Sequence, residues 1–294
     1  MSLSHLLPIA HLPTYFSRAP HGIFPCHPYL LERWLALPGD DRITFFRPGE
    51  SAPSGTPSGE RPEETTPPIT EVFKVDISDL AVFQKGWDLY VLRAEGESYR
   101  ICKLLNPGKE ASFELGPKLP IGPTREYSDR PLTVALDDSL LIYDNPYESE
   151  TRLAEVDWSG QLIPINGRWS RPAPRSIINM VRLNEQVLLQ TENRVWHSYT
   201  LKGEWLASYL PVIADSRPIA WVADDLITIA LKDGCLQSHR CPPDEAPAGL
   251  YYTLEHPPLA DVNAALLYNE RGTVMVWGRG QLYAGTPPVA ASRA

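Results

Sequence analysis

The chain has 294 residues, 43% of them hydrophobic and 21% charged, which is ample apolar material for a folded core. Thirty prolines beside 19 glycines point to many loops between short strands rather than to long helices. A net charge of −9 disfavours the phosphate backbone of nucleic acid and an anionic membrane, and leaves a basic protein or a cation as compatible partners.

Taken in chain order, the opening MSLSHLLPIAHLPTYF lacks a basic leader and has Pro8 inside its one apolar run, so no signal peptide is expected. No later run approaches the roughly 18 apolar residues of a membrane span. Paired apolar runs then begin, each pair joined by a tight polar turn. YLLERWLAL (29–37) turns into ITFF (43–46), and DLAVF (79–83) into LYVL (89–92). LTVAL (132–136) turns into LLIY (140–143), IINMVRL (177–183) into VLLQ (187–190), IAWVA (219–223) into LITIA (226–230), and VNAALLY (262–268) into TVMVW (273–277). Short β-rich runs split by Gly, Asp and Asn are hairpin signals. The second members are centred on Ile43, Leu89, Leu140, Val187, Leu226 and Val274, in steps of 46, 51, 47, 39 and 48 residues.

A second hairpin follows in most repeats: YRICKLL (99–105) with ASFEL (111–115), TRLAEVD (151–157) with QLIPI (161–165), and RVWHSYTL (194–201) with EWLASYL (204–210). Two hairpins in series make a four-stranded meander, and a meander at this period reads as one blade of a propeller. The fold class expected is all-β: a six-bladed β-propeller of four-stranded antiparallel blades, with five blades as the alternative. The fifth repeat is the weak one, with CLQSHR (235–240) and LYYTL (250–254) around a Pro-rich stretch. The sixth lacks a fourth strand after QLYAG (281–285), and a strand within 9–16 or 21–27 would supply it and close the ring. The propeller is expected over 29–285, residues 1–28 as the segment completing the last blade, and 286–294 as a disordered tail. Residues 48–68, rich in Pro, Gly, Ser and Glu, read as a mobile loop inside the first blade.

In strand length and spacing the chain resembles divergent β-propeller repeat proteins in general. It has no Gly-His…Trp-Asp signature and no double-Gly kelch pattern, so no named family's active residues carry over. A propeller is a scaffold that hosts many activities, and function has to be argued from sites.

Three surface features invite such an argument. The first-to-second strand turns share one face and carry Asp40, Asp41, Asp88, Asp137, Asp138, Glu185, Asp224, Asp225 and Glu270, against Arg42, Lys85 and Arg271. An acidic ring of that kind attracts a basic partner, although Asp also serves tight turns by bonding nearby backbone N–H groups. The opposite face carries three Arg-Pro steps, at Arg130, Arg171 and Arg217, with Arg175 near the second. Guanidinium forks converging at a channel mouth suit a carboxylate or phosphate, and salt bridges to Asp129 and Asp215 are the plainer reading. Asp129, Asp215 and Asp261 each precede a blade's first strand, and three such oxygen ligands suit one divalent cation that activates water.

Other chemistry is thin. Cys235, His239 and Cys241 share the parity of one strand, yet their spacing matches no zinc pattern, and the plain reading is a small apolar Cys beside an exposed His. Four cysteines (Cys26 and Cys102 are the others) do not make a disulfide framework in a chain this long, which fits the cytoplasm of a bacterium. No nucleophile elbow, phosphate loop, metalloprotease motif or dinucleotide fingerprint is present. Of eight tryptophans, Trp158 lies in a turn and Trp169 beside Arg168 and Arg171, where an exposed indole next to Arg would be an interaction hot spot. The function expected is a non-catalytic protein-interaction scaffold without cofactor, either an adaptor or an immunity-type neutraliser of a bacterial toxin, with a basic protein as partner. The alternative is a metal-dependent hydrolase of the lactonase or esterase kind.

Overall fold

The computed structural model describes residues 7–11, 35–38, 42–47, 70–76, 80–85, 88–105, 112–123, 131–144, 152–169, 177–214, 216–232, 235–244, 246–254, 266–268, 274–278 and 281–285. All regular structure among them is β, arranged in six antiparallel sheets. The first sheet is three-stranded among the described residues: β2 (Leu35–Pro38), β3 (Arg42–Arg47) and β4 (Thr70–Asp76). The second holds β5 (Leu80–Lys85), β6 (Asp88–Glu95), β7 (Ser98–Leu105) and β8 (Ser112–Lys118). The third holds β9 (Leu132–Ala135), β10 (Ser139–Asp144), β11 (Arg152–Asp157) and β12 (Leu162–Ile163). The fourth holds β13 (Ile177–Leu183), β14 (Gln186–Thr191), β15 (Trp196–Thr200) and β16 (Trp205–Tyr209). The fifth is β17 (Arg217–Val222), β18 (Asp225–Lys232), β19 (Cys235–Cys241) and β20 (Gly249–Leu254).

The sixth sheet takes its strands from both ends of the chain. Here β21 (Leu266–Tyr268), β22 (Val274–Gly278) and β23 (Gln281–Gly285) are joined by β1 (Leu7–His11), which pairs antiparallel with β23. The pairing closes a ring and covers an edge that would otherwise be free to recruit another strand. The first strands of successive sheets, β5, β9, β13 and β17, lie next to one another, so they are the innermost strands.

This architecture explains why one apolar run per repeat stands out in the sequence. It is the second strand of a blade, covered on both sides by neighbouring blades where its side chains are described, in the second to fifth sheets. Leu140, Leu141, Ile142 and Tyr143 on β10 are all at most 1% exposed. Side chains on a strand alternate between its faces. Accordingly Leu140 and Ile142 pack with Phe83, Leu92 and Ile101 of the second blade, while Leu141 and Tyr143 pack with Ile177, Val187 and Leu189 of the fourth. The same alternation sends Leu188 toward Leu226 and Cys241 of the fifth blade. Burial of each such side chain stabilises the fold by roughly 1.5–3 kcal/mol. Fourth strands are different: Leu115, Trp205 and Leu250 are exposed, so their sequences carry no comparable signal.

The elements differ from the sequence reading in three places, while the four strands expected of the weak fifth repeat are present. Thr70–Asp76 is a strand the apolar spacing did not mark, because Lys74 and Glu71 interrupt it. The expected strand at 161–165 shrinks to Leu162–Ile163, since Pro164 removes a ladder donor. The ring-closing strand begins ahead of both windows named above. Residues 48–68 and 286–294 lie outside the described residues.

Candidate functional site

The turns between first and second strands carry the acidic positions, and neighbouring strands, within a blade or across a seam, supply cations that the turns themselves lack. Asp137 and Asp138 are exposed in the turn between β9 and β10. Arg182, on the adjacent innermost strand β13, reaches Asp137 at 2.8 Å. Asp225 opens β18 with its side chain only 15% exposed and pairs with Arg240 of β19. Asp88 pairs with Lys103 at 2.6 Å. The ring read from sequence as opposed only by Arg42, Lys85 and Arg271 is therefore partly neutralised: facing strands place Arg182, Arg240 and Lys103 beside carboxylates far from them in sequence. Asp138, Glu185 and Asp224 remain exposed, and the Asp224 carbonyl accepts a hydrogen bond from the Tyr209 hydroxyl at 3.3 Å.

Where the second and third blades meet, this face gains an aromatic floor. The turn between β11 and β12 is built by Asp157, whose Oδ1 accepts from the Ser159 N–H at 2.9 Å, the Ser159 hydroxyl at 2.7 Å and the Gln161 N–H at 2.9 Å. The Ser159 hydroxyl, helped by those N–H donors, holds the Asp157 carboxyl below the ordinary carboxylate value. A carboxylate fixing the backbone in this way presents the residue between, Trp158. The Trp158 Nε1–H donates to the Asp137 carbonyl at 3.1 Å, which ties the two turns of the third blade together. Its ring packs on Phe83 at 6.2 Å and on Tyr90 at 6.0 Å, and those two stack at 5.6 Å. The Lys85 Nζ sits 3.8 Å from the Trp158 ring centroid. Burial pushes the Lys85 ammonium below its ordinary value, against the opposing pull of Asp138. The arrangement is a cation over an aromatic face, within the electrostatic reach of a carboxylate.

Trp169 corrects the sequence reading. It is 1% exposed, not a surface hot spot. Its indole fills the seam between the third and fourth blades against Tyr199, and its Nε1–H donates to Glu155 at 3.0 Å. Glu155, itself 3% exposed, also accepts from the Ser139 hydroxyl at 2.7 Å and pairs with Arg168 at 2.6 Å. That node belongs to the fold, because the carboxylate is enclosed and each of its oxygens is occupied from within.

Of the Arg-Pro group, Arg217 is half-buried as the first residue of β17; Arg130, Arg171 and Arg175 lie outside the described residues. Asp129, Asp215 and Asp261 also lie outside them. His239 is buried rather than exposed, because β19 is covered on both sides, and burial pushes the Cys241 thiol up. Among the described residues, no three His, Cys, Asp or Glu side chains are grouped to hold a metal. Sequence reasoning noticed Trp158 and Lys85 separately and missed their contact. The signal available was the Asp-Trp-Ser-Gly turn, which exposes whatever follows its aspartate.

No family model matches the chain, and no curated protein does either. Solved structures do resemble it. The PQQ-bound form of aldose sugar dehydrogenase from Streptomyces coelicolor matches 97% of this chain and 98% of its own, with TM-score 0.52 and 10% identity. BamB from Moraxella catarrhalis matches 96% of this chain and 86% of its own, with TM-score 0.41 and 9% identity. BBS1N in complex with ARL6DN matches 88% of this chain and 75% of its own, with TM-score 0.42 and 18% identity. The chain is a β-propeller; at these identities the likeness extends to the fold alone.

Proposed function

We propose that this protein is a non-catalytic interaction scaffold whose first-to-second turn face docks a basic protein partner. The observation that supports it is the run of exposed carboxylates, Asp137, Asp138, Glu185 and Asp224, along one face of three successive blades. Rigid strands hold these charges in place, so they steer a basic surface toward docking without a large ordering cost. BamB and the BBS1N–ARL6DN complex are propellers of low identity and lend this reading no specific partner. An adaptor and an immunity-type neutraliser of a toxin are the two members of the class; the second would cover a basic cleft in a one-to-one complex. The hydrolase alternative gains nothing from the described residues.

The test is affinity purification with the intact protein and with a variant carrying Asp137→Asn, Asp138→Asn, Glu185→Gln and Asp224→Asn. A basic protein retained at low salt by the parent, released by added salt and absent from the variant is the expected result. Retention of the same protein by both, or of none by either, would overturn the proposal.

A further inference from the structure

We infer that Lys85 occupies, in the free protein, the seat of a lysine or arginine side chain brought by the basic partner. The inference rests on the docking face proposed above and names the group it grips. The seat is the exposed side of Trp158, with Asp137 and Asp138 at its margin. Three observations build it. The indole is fixed in place by its bond to the Asp137 carbonyl and by Phe83 and Tyr90 behind it, so the platform exists before any partner arrives. An ammonium already stands 3.8 Å from its centroid, so the ring face and its surroundings accept that group. The carboxylates at its margin are open to solvent: the Asp137 side chain is 66% exposed although it pairs with Arg182, and Asp138 is exposed.

Lys85 is also easily displaced. It ends β5 at the turn into β6, and its flexible stem can swing into water. A partner cation that arrives on an ordered segment loses less conformational freedom on stacking there than the free Lys85 side chain does. A guanidinium would stack flat on the indole while forking to Asp138; an ammonium would repeat the pose of Lys85.

The probe is a hexalysine peptide, titrated into the full chain at low salt and followed by fluorescence anisotropy of a label on the peptide. Lys85→Met is compared with Lys202→Met, which removes the same charge from an exposed turn on the same face in the fourth blade. Expected results are affinity at least threefold higher for Lys85→Met than for Lys202→Met, and about three- to tenfold lower than the parent for Trp158→Leu, in line with the usual range of cation–π contacts. Because Trp158→Leu disturbs packing on Phe83, the lysine pair decides the matter if that variant does not fold. Salt-sensitive binding with equal effects of the two lysine substitutions would overturn the seat and leave the docking face standing. No binding of the peptide to the parent would remove both.

Discussion

The Trp169 N–H donates to the Gly203 carbonyl at 2.8 Å, and a Cβ added at position 203 would stand 2.7 Å from the Trp169 ring. Both residues sit at positive φ, 59° for Trp169 and 82° for Gly203. A bulky side chain in that region is strained, and it persists only where packing over-determines it. Here the determinants are the bond to Gly203, the Tyr199 ring and the Nε1–H bond to Glu155. The contact welds the turn after β15 to the segment leaving the third blade.

Gly203→Ala therefore meets two costs at once, a disfavoured backbone and a collision with a ring that has no room to retreat. The expected loss is about 2–4 kcal/mol. Urea unfolding followed by tryptophan fluorescence reads it, and an unchanged midpoint would show that the seam is looser than described.

Arg168→Met leaves Glu155 enclosed with its ion-pair partner gone. Since the guanidinium is 30% exposed, the expected cost is about 2 kcal/mol, below that of a fully buried pair. The double variant Arg168→Met, Glu155→Gln should recover part of that loss, because it removes the stranded charge while an amide oxygen remains to accept from Trp169 or Ser139. A double-mutant cycle measured by denaturation supplies the coupling, and simple additivity would argue against the pair.

His197 makes stability depend on pH. It is 5% exposed, held by Ser208 at 2.9 Å and Thr191 at 3.3 Å, and burial pushes its pKa from 6.5 down to about 4. The folded state thus resists a proton that the unfolded chain accepts. Its contribution is fully present above pH 6.5 and is lost as pH falls toward 4, by up to about 3 kcal/mol. His197→Gln should flatten the stability profile between those limits relative to the parent; parallel profiles would exclude this residue as the source.

Ala223 occupies the turn between β17 and β18 at φ 56°, where Asn184 at φ 56° occupies the corresponding turn between β13 and β14. Asparagine tolerates that region and alanine does not. Ala223→Gly relieves the strain at the cost of a more flexible unfolded chain, for a net gain of about 0.5 kcal/mol. Thermal unfolding checks the sign, and a lower midpoint would contradict it.

The parts of this fold legible from sequence were those whose signal is local. Second strands such as Leu140–Tyr143 and Val187–Leu189 announce themselves because both of their faces are buried, which demands an unbroken apolar run. The turns were legible because Asp, Asn and Gly bond or bend where the chain reverses. Strand β4 was missed because Glu71 and Lys74 interrupt its apolar run, and β12 was overestimated because Pro164 ends it early.

The site was less legible, for a physical reason. Asp137 and Asp138 were visible as an acidic doublet, and Trp158 as a residue in a turn. That Arg182 leans on Asp137 and that Lys85 stands over Trp158 depend on which blades adjoin, and that Arg240 pairs with Asp225 depends on the register of two neighbouring strands. The same holds for Trp169: its neighbours Arg168 and Arg171 suggest a surface, while its burial is decided by Gly203 and Glu155 across the seam. Periodicity and turn chemistry are properties of a few consecutive residues, so the chain alone determined a β-repeat of propeller type, with six blades or five, and acidic residues in its turns. Charge pairing and aromatic contact act across a few ångströms of space, and only the closed ring of blades decided which side chains meet.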